Sequence, residues 1–324
     1  MEKIWSPCDG GEILALWSAV FGEAEAALEA PQIDGTEAGE NEDFLYVVRD
    51  AGRLAGTIHA TVPRAAPTLC GLSGMCVAPE YRGRGLARGL FHAMLEDLDG
   101  AGVEAAFLGT DNPVAAGLYA GFGFAFLPGS NVMARFQRGG APEYERRTLL
   151  RPRERFEIRP FSPAMRIPMI PLVLHRGSQF LLDRNAGIFS SAAVTQRSCM
   201  GLYPKYESML RGGGGGYCAW AEDGVLGAIA SVKMTDEGPI ADFFGCDAFL
   251  SAVPELLECC RERFGPLRFQ IAVVDGGKRA CVERLGYRPG ETALAAFGRG
   301  CVPCVTYAMQ RKKRDASFTP PGAV

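Results

Sequence analysis

The chain is poor in the residues from which metal centres are usually assembled. Its 324 residues hold three histidines, His59, His92 and His175, and its eleven cysteines include one C-x-x-C pair, Cys301 and Cys304. A structural zinc site needs four ligands at set spacing, so no metal is expected and the thiols read as reduced, mostly buried side chains. No apolar run reaches the roughly 18 residues that a spanning helix needs. Residues 1–20 also lack a basic segment followed by an apolar one. These absences point away from a membrane and toward a cytoplasmic protein. A surplus of one charge is missing too: 34 basic against 37 acidic residues give a net charge of −3. That excludes the basic excess of a nucleic-acid binder. The bias is local instead. Between Ile4 and Val48 there is no lysine or arginine, while Glu23, Glu25, Glu29, Asp34, Glu37, Glu40, Glu42 and Asp43 crowd one stretch.

What is present is 48% hydrophobic residues in a chain long enough for two domains. Residues 138–157 combine glycine, proline and clustered arginines with little apolar periodicity, the pattern of a solvated linker. The units are therefore 1–137 and 158–311, followed by a basic, proline-rich tail, 312–324, expected to be disordered. The first unit reads as a short strand near Ile4, then a helix with Ile13, Leu14, Leu16, Trp17 and Val20 on one face. A hairpin follows over 44–62, turning at Asp50, Ala51 and Gly52. Next come a strand over 69–77, a helix over 85–98, a strand over 105–110, a short helix from Pro113, and strands across Phe124 and Val132.

Parts of this order recur. Tyr46 to Val62 parallels Tyr217 to Val232, and Asp111 to Phe124 parallels Asp275 to Tyr287, which suggests an internal duplication. Residues 158–211 match no pattern. The glycine run 212–216 precedes a strand and lacks a following Lys-Ser/Thr, so it reads as a flexible loop.

The sharpest local signal is Val77-Ala78-Pro79-Glu80-Tyr81-Arg82-Gly83-Arg84-Gly85-Leu86-Ala87, between an expected buried strand and a helix. Such a loop presents free backbone N–H groups at the positive end of a helix dipole, a site for a pyrophosphate. Glycine removes the Cβ that would hold the backbone off. Arg82 and Arg84 add cations. The chain lacks G-x-G-x-x-G after its first strand, which argues against a dinucleotide fold.

The loop resembles that of the GNAT superfamily of acetyl-CoA-dependent acyltransferases, Arg/Gln-x-x-Gly-x-Gly/Ala after a strand ending Val-x-Pro. Here it is Arg82-x-x-Gly85-x-Ala87. The resemblance continues at the family's second motif in Asn112-Pro113-x-Ala115-x-x-Leu118-Tyr119-x-x-x-Gly123-Phe124. It implies an α/β fold of mixed α+β type: tandem GNAT-like domains, each a central, mostly antiparallel, splayed β-sheet flanked by helices. It also implies acetyl-CoA as co-substrate, without metal. Backbone amides of Arg82, Gly83, Arg84, Gly85, Leu86 and Ala87 would hold the pyrophosphate. Met75 and Val77 would pair with the pantetheine arm, joined by Asn112, and an amide near Met75 would polarise the thioester carbonyl.

The resemblance implies transfer to an amine, and an alkylammonium of pKa about 10.4 resists deprotonation at pH 7 by about 4.6 kcal/mol. The strand before the loop, Gly71 to Cys76, has no acid to serve as base. His59 is the candidate base or end of a water chain, its other reading being a strand histidine bonded within the sheet. His92 reads as a helix-surface residue. Tyr119 is the candidate general acid to the departing thiolate, or else a core tyrosine. Cys76 reads as a buried hydrophobe rather than a nucleophile. The acidic stretch fits a cationic amine or a solvated loop.

In the second unit, Gly245 to Ser251 lacks the arginine-glycine loop and Val282 stands where Tyr119 would be, so that unit is expected to be non-catalytic. The function implied is an N-acetyltransferase acting on a primary amine of a small molecule by direct attack in a ternary complex. Alternatives are a protein or peptide N-acetyltransferase and an acyl-CoA-binding sensor. No nucleic-acid or membrane partner is expected, and a homo-oligomer is compatible with the chain.

Overall fold

The computed structural model describes residues 1–297 and 300–309. The tail 312–324 and the last residues assigned to the second unit lie outside them. In chain order the first half runs β1 (Glu2–Trp5), α1 (Gly11–Phe21), α2 (Glu23–Ile33), β2 (Asn41–Asp50), β3 (Arg53–Pro63), β4 (Leu69–Val77), α3 (Leu86–Gly100), β5 (Ala105–Gly109), α4 (Pro113–Ala120), β6 (Ala125–Phe126), β7 (Val132–Phe136) and α5 (Ala141–Arg147). The second runs β8 (Glu157–Pro160), α6 (Met169–Leu174), β9 (Leu181–Asp183), β10 (Ile188–Phe189), α7 (Tyr203–Arg211), β11 (Gly215–Trp220), β12 (Leu226–Thr235), β13 (Gly238–Gly245), α8 (Val253–Phe264), β14 (Arg268–Ala272), α9 (Gly276–Arg284), β15 (Tyr287–Phe297) and β16 (Gly300–Met309).

The expected duplication is visible in the topology. The first sheet is ordered β1-β2-β3-β4-β5-β7-β6 and the second, read from its opposite edge, β8-β11-β12-β13-β14-β16-β15. The two orders correspond strand for strand. In each sheet the fourth and fifth strands are parallel and the other pairings antiparallel. This is the mixed α/β, tandem architecture that the motifs implied. In the β2–β3 hairpin, Ala51 (φ 48°) and Gly52 (φ 82°) both take left-handed backbone, the turn that matches the twist of paired strands.

Both parallel pairs come apart. β4 pairs with β5 only from Leu69–Ala105 to Gly71–Phe107, and β13 with β14 only at Ile240–Arg268 and Ala241–Phe269. Each sheet therefore opens into a wedge beyond its parallel segment. One face of the first wedge carries α3 and α4, whose Leu90, Phe91, Met94 and Tyr119 pack with Cys70 and Leu72 of β4. On the other face, Ile13 and Trp17 of α1 and Ala26 and Ile33 of α2 pack with Leu45, Val47 and Cys76.

Three expectations are corrected. The acidic stretch is loop only over 34–40: Glu23–Ile33 forms α2, with Glu23 and Glu25 in its first turn, and Glu42 and Asp43 lie at the start of β2. Within 138–157, α5 buries Tyr144, and Leu149 is buried behind it, so this connection is docked rather than solvated. The glycine run 212–216 is loop only over its first three residues. Gly215 and Gly216 open β11 opposite Val232 and Ser231, and a Cβ at Gly216 would strike the Ala230 carbonyl and the Phe161 ring.

The halves share one hydrophobic core. Phe107, Val132 and Tyr144 from the first pack in the same cluster as Met165, Ile167 and Met200 from the second. At about 1.5–3 kcal/mol for each large apolar side chain buried, this interface is an integral part of the fold.

Candidate active site

The expected phosphate loop forms as a 3₁₀ turn (Pro79–Tyr81) leading through Arg82–Gly85 into α3. Gly85 caps the helix with left-handed backbone, φ 78°, and open space where a Cβ would stand. Among the described residues, no backbone carbonyl accepts from the N–H groups of Gly83, Arg84, Gly85, Leu86, Ala87 or Arg88. These donors converge at a helix N-terminus, the electrostatic requirement for an anion. The arginine side chains fold back onto the loop. Arg82 Nε donates to the Val77 carbonyl at 3.1 Å, and Arg84 reaches the Glu80 carbonyl and Asp50.

Upstream of the loop, β4 contains a bulge. Thr57 faces Cys76 and His59 faces Ser73, so Gly74 and Met75 together oppose Ile58. Gly74 is left-handed (φ 56°), and a Cβ there would overlap the Trp17 indole. Trp17 Nε1 donates to Thr57 Oγ1 at 2.8 Å, and that hydroxyl donates to the Gly74 carbonyl at 2.6 Å. The bulge is thus pinned from α1 and β3. It lies beyond the last β4–β5 pair, which places Met75 and Val77 on the open wall of the wedge.

Tyr119 stands on α4, 7% exposed, stacked on Phe91 with ring centroids 5.0 Å apart. Burial, with Cys76 nearby, pushes its phenol up to about 12, so it stays protonated at neutral pH as a general acid must. Asn112 caps α4, its Oδ1 accepting from Val114 N at 2.9 Å and Ala115 N at 3.4 Å. Its carbonyl oxygen is therefore spent on the helix, and only its NH₂ is left for a ligand. Cys76 is 5% exposed and burial pushes its thiol up to about 11, which fits the packing role and not a nucleophile. His92 is on the surface beside Glu96, as expected.

His59 is fully enclosed, which is inconsistent with direct contact to an acceptor. Its Nδ1 lies 2.9 Å from Ser73 Oγ, and its Nε2 lies 3.1 Å from Asp43 Oδ1, an ion-pair contact rather than an aligned hydrogen bond. Ser73 Oγ in turn donates to Glu29 Oε2 at 2.6 Å. Asp43 also accepts from Thr61, which accepts from Gln32. In the sequence Glu29 and Asp43 stand out only as members of the acidic stretch, and Ser73 does not stand out at all. They come from α2, β4 and β2, and no spacing announces such a set.

The second half walls the same region. Ile167 and Met200 approach Gly71 of β4, and Ser198 and Cys199 lie against Gly109 at the end of β5. Gln196 N donates to the Gly129 carbonyl at 3.0 Å, and the Gln196 carbonyl accepts from Asn131 N at 2.8 Å.

The second wedge is built differently, since its own chain crosses it. Phe180 N and Leu181 N donate at 2.6 and 3.0 Å to Asp275, which holds the N-cap position of α9 as Asn112 holds that of α4 but gives its carboxylate to this crossing segment instead of the helix. Lys278 Nζ donates to the Leu182 carbonyl and to Asp242 of β13, both at 2.8 Å. Arg184 N donates to Asp242 at 2.7 Å. The β9 segment is thereby clamped between β13 and α9, and Val282 is sealed in the core.

Residues 11–124 match the model of the acetyltransferase (GNAT) family, about a third of the chain. None of the curated proteins matches. Among solved structures, a GNAT family N-acetyltransferase of Escherichia coli (YhbS), in complex with CoA, is 25% identical, covering 42% of this chain and 80% of that one at a TM-score of 0.32. A phosphinothricin acetyltransferase of Sinorhizobium meliloti, in complex with acetyl-CoA, is 13% identical, covering 52% and 94% at a TM-score of 0.37. A GNAT acetyltransferase of Staphylococcus aureus Mu50 is 15% identical, covering 42% and 99% at 0.35. No helix among the described residues is long and apolar enough to cross a membrane, and none of their side-chain groups forms a metal cluster.

Proposed function

We propose that the chain is an acetyl-CoA-dependent N-acetyltransferase that carries an acetyl group to a primary amine of a small, cationic molecule in a ternary complex. One observation carries this reading. The wedge between β4 and β5 has a loop of unpaired N–H donors at the foot of α3 and a buried, protonated tyrosine on α4 beside it. A pyrophosphate fits the donors from Gly83 to Arg88, and an extended arm fits the open edge at Met75 and Val77, with the Asn112 amide alongside.

CoA supplies an activated acyl group as its thioester. The protein's part is to hold it, to aim a bulge amide at the carbonyl and to return a proton to the leaving sulfur from Tyr119. Cys76, enclosed and protonated, supports direct attack over an acyl-enzyme. The wall formed by residues 196–200 narrows the acceptor side and favours a small molecule over a folded protein. Exposed Glu25 beside Glu29 favours a cation, and a cytoplasmic setting belongs to the same reading.

The second half is read as a non-catalytic partner over 158–311, because β9 fills its wedge and Val282 supplies no acid. Calorimetric titration with acetyl-CoA tests this directly. One molecule should bind per chain, and Gly85→Glu, which puts a carboxylate among the phosphate donors, should abolish binding. Two sites, or an unaffected Gly85→Glu, would contradict the assignment.

A further inference from the structure

Direct attack leaves one proton without a destination, since Tyr119 serves only the sulfur. We propose that Glu29 of α2 takes the proton from the attacking nitrogen, and that Ser73, His59 and Asp43 form a positioning chain that aims and anchors its carboxylate. This rests on the acetyltransferase reading above.

The sheet gives the first argument. Cys70 and Leu72 of β4 face α3 and α4, where Tyr119 packs, while Gly71 meets Ile167 and Met200 on the opposite face. Ser73 alternates with Leu72 and so shares the face of Gly71, one residue before the bulge. Glu29 on Ser73 and Tyr119 on Phe91 therefore lie on opposite sides of the wedge. This arrangement suits acyl transfer, because nitrogen and sulfur are separate substituents of the tetrahedral intermediate and each then meets its own proton-transfer group.

Hydrogen-bond direction gives the second. Ser73 donates its only proton to Glu29 Oε2, so the Nδ1 of His59 must be the donor to Ser73 Oγ. Nε2 then looks at Asp43, and this contact holds the ring only in the imidazolium form, in which both nitrogens carry a proton. Glu29 Oε1 takes no part in this chain, and the Glu29 side chain keeps 21% of its surface accessible while those of His59 and Asp43 keep 0% and 1%. The reachable end of the chain is the carboxylate. Burial raises Glu29 above the ordinary carboxylate range, with His59, Ser73 and Arg166 pulling it down and Glu25 pushing it up. Cys76 and Cys199 are its other titratable neighbours, and burial raises both.

The step balances. The nitrogen forms the C–N bond and gives its proton to Glu29, the C–S bond breaks, and the sulfur takes the Tyr119 proton. Glu29 then loses its proton to solvent and Tyr119 is reprotonated from it.

The test is release of free CoA from acetyl-CoA with putrescine, tyramine and a lysine-containing peptide, followed from pH 5 to 9 on the full chain. With the best of these amines, Glu29→Gln is expected to lower kcat by about 10²–10⁴-fold and remove the acid limb of the profile, with acetyl-CoA affinity unchanged. Ser73→Ala removes a hydrogen bond to the ionised carboxylate and should move that limb to higher pH, and Ser73→Thr should restore it. Should Glu29→Gln keep wild-type kcat and acid limb, or should the limb stay fixed in Ser73→Ala, the assignment is overturned while the acetyltransferase reading stands. Absence of release by the wild type with every amine overturns both.

Discussion

Arg166 of the second half is enclosed against Glu37 of the first, each side chain 1% exposed, with the guanidinium donating to both carboxylate oxygens and lying 4.8 Å from the Tyr203 ring centroid. Asn41 ties the same carboxylate to the chain at Pro163. A charge removed from such a pair strands the other in a dry interior, at about 3–5 kcal/mol. Arg166→Met should therefore lower stability by that amount. Arg166→Met with Glu37→Leu should recover most of it. Denaturant unfolding of the four members of the cycle checks this, and because the halves share one core, a single transition is expected for each.

Tyr119→Phe removes the phenolic proton and leaves the ring on Phe91. Turnover should fall about 10²–10⁴-fold with acetyl-CoA affinity unchanged, as measured by steady-state kinetics beside calorimetry. With the phenol pushed up to about 12, the wild type should show no alkaline limb from this residue below about pH 11.

Gly74→Ala places a methyl group on the Trp17 indole at a left-handed backbone position. The bulge must straighten or Trp17 must leave Thr57. Either change should cost at least about 1–3 kcal/mol, seen as a lowered Tm, together with weakened acetyl-CoA binding. Gly83→Ala, also left-handed but facing open space, should cost less.

Asp183 lies in the clamp of the second wedge, accepting from Tyr206 and Ser231 near Asp242 and Lys278, and burial pushes its carboxyl up to about 6. An acid whose folded pKa exceeds its unfolded value of about 3.9 holds its proton more tightly when folded. Its contribution to stability is therefore greatest below that value and declines as pH rises toward 6. Unfolding free energies of wild type and Asp183→Asn from pH 4 to 7 should converge at the acid end and separate as pH rises, with the variant the flatter of the two.

The strands and helices that flank the Arg82–Gly85 loop were legible because their signals are local: the run Leu69 to Val77, the glycines at 83 and 85, the Asn-Pro step at 112. The correspondence of Tyr46–Val62 with Tyr217–Val232 foretold the matching sheets. Helix α2 was missed since only Ala26, Gln32 and Ile33 of its residues are buried, too few for a periodic stripe. Gly215 and Gly216 were misread as loop because their reason is a neighbour, the Phe161 ring, far away in sequence. His59 was found for its chemistry, but its burial depended on Asp43, Ser73 and Glu29, which only the folded sheet and α2 bring together.

The most direct measurement is the initial rate of CoA release from acetyl-CoA with and without a primary amine, with the acetylated amine identified by mass. Release should require the amine, match the acetylated product one for one, and collapse in Tyr119→Phe. Tight acetyl-CoA binding with no release across all amines would contradict it and make the chain an acyl-CoA-binding protein.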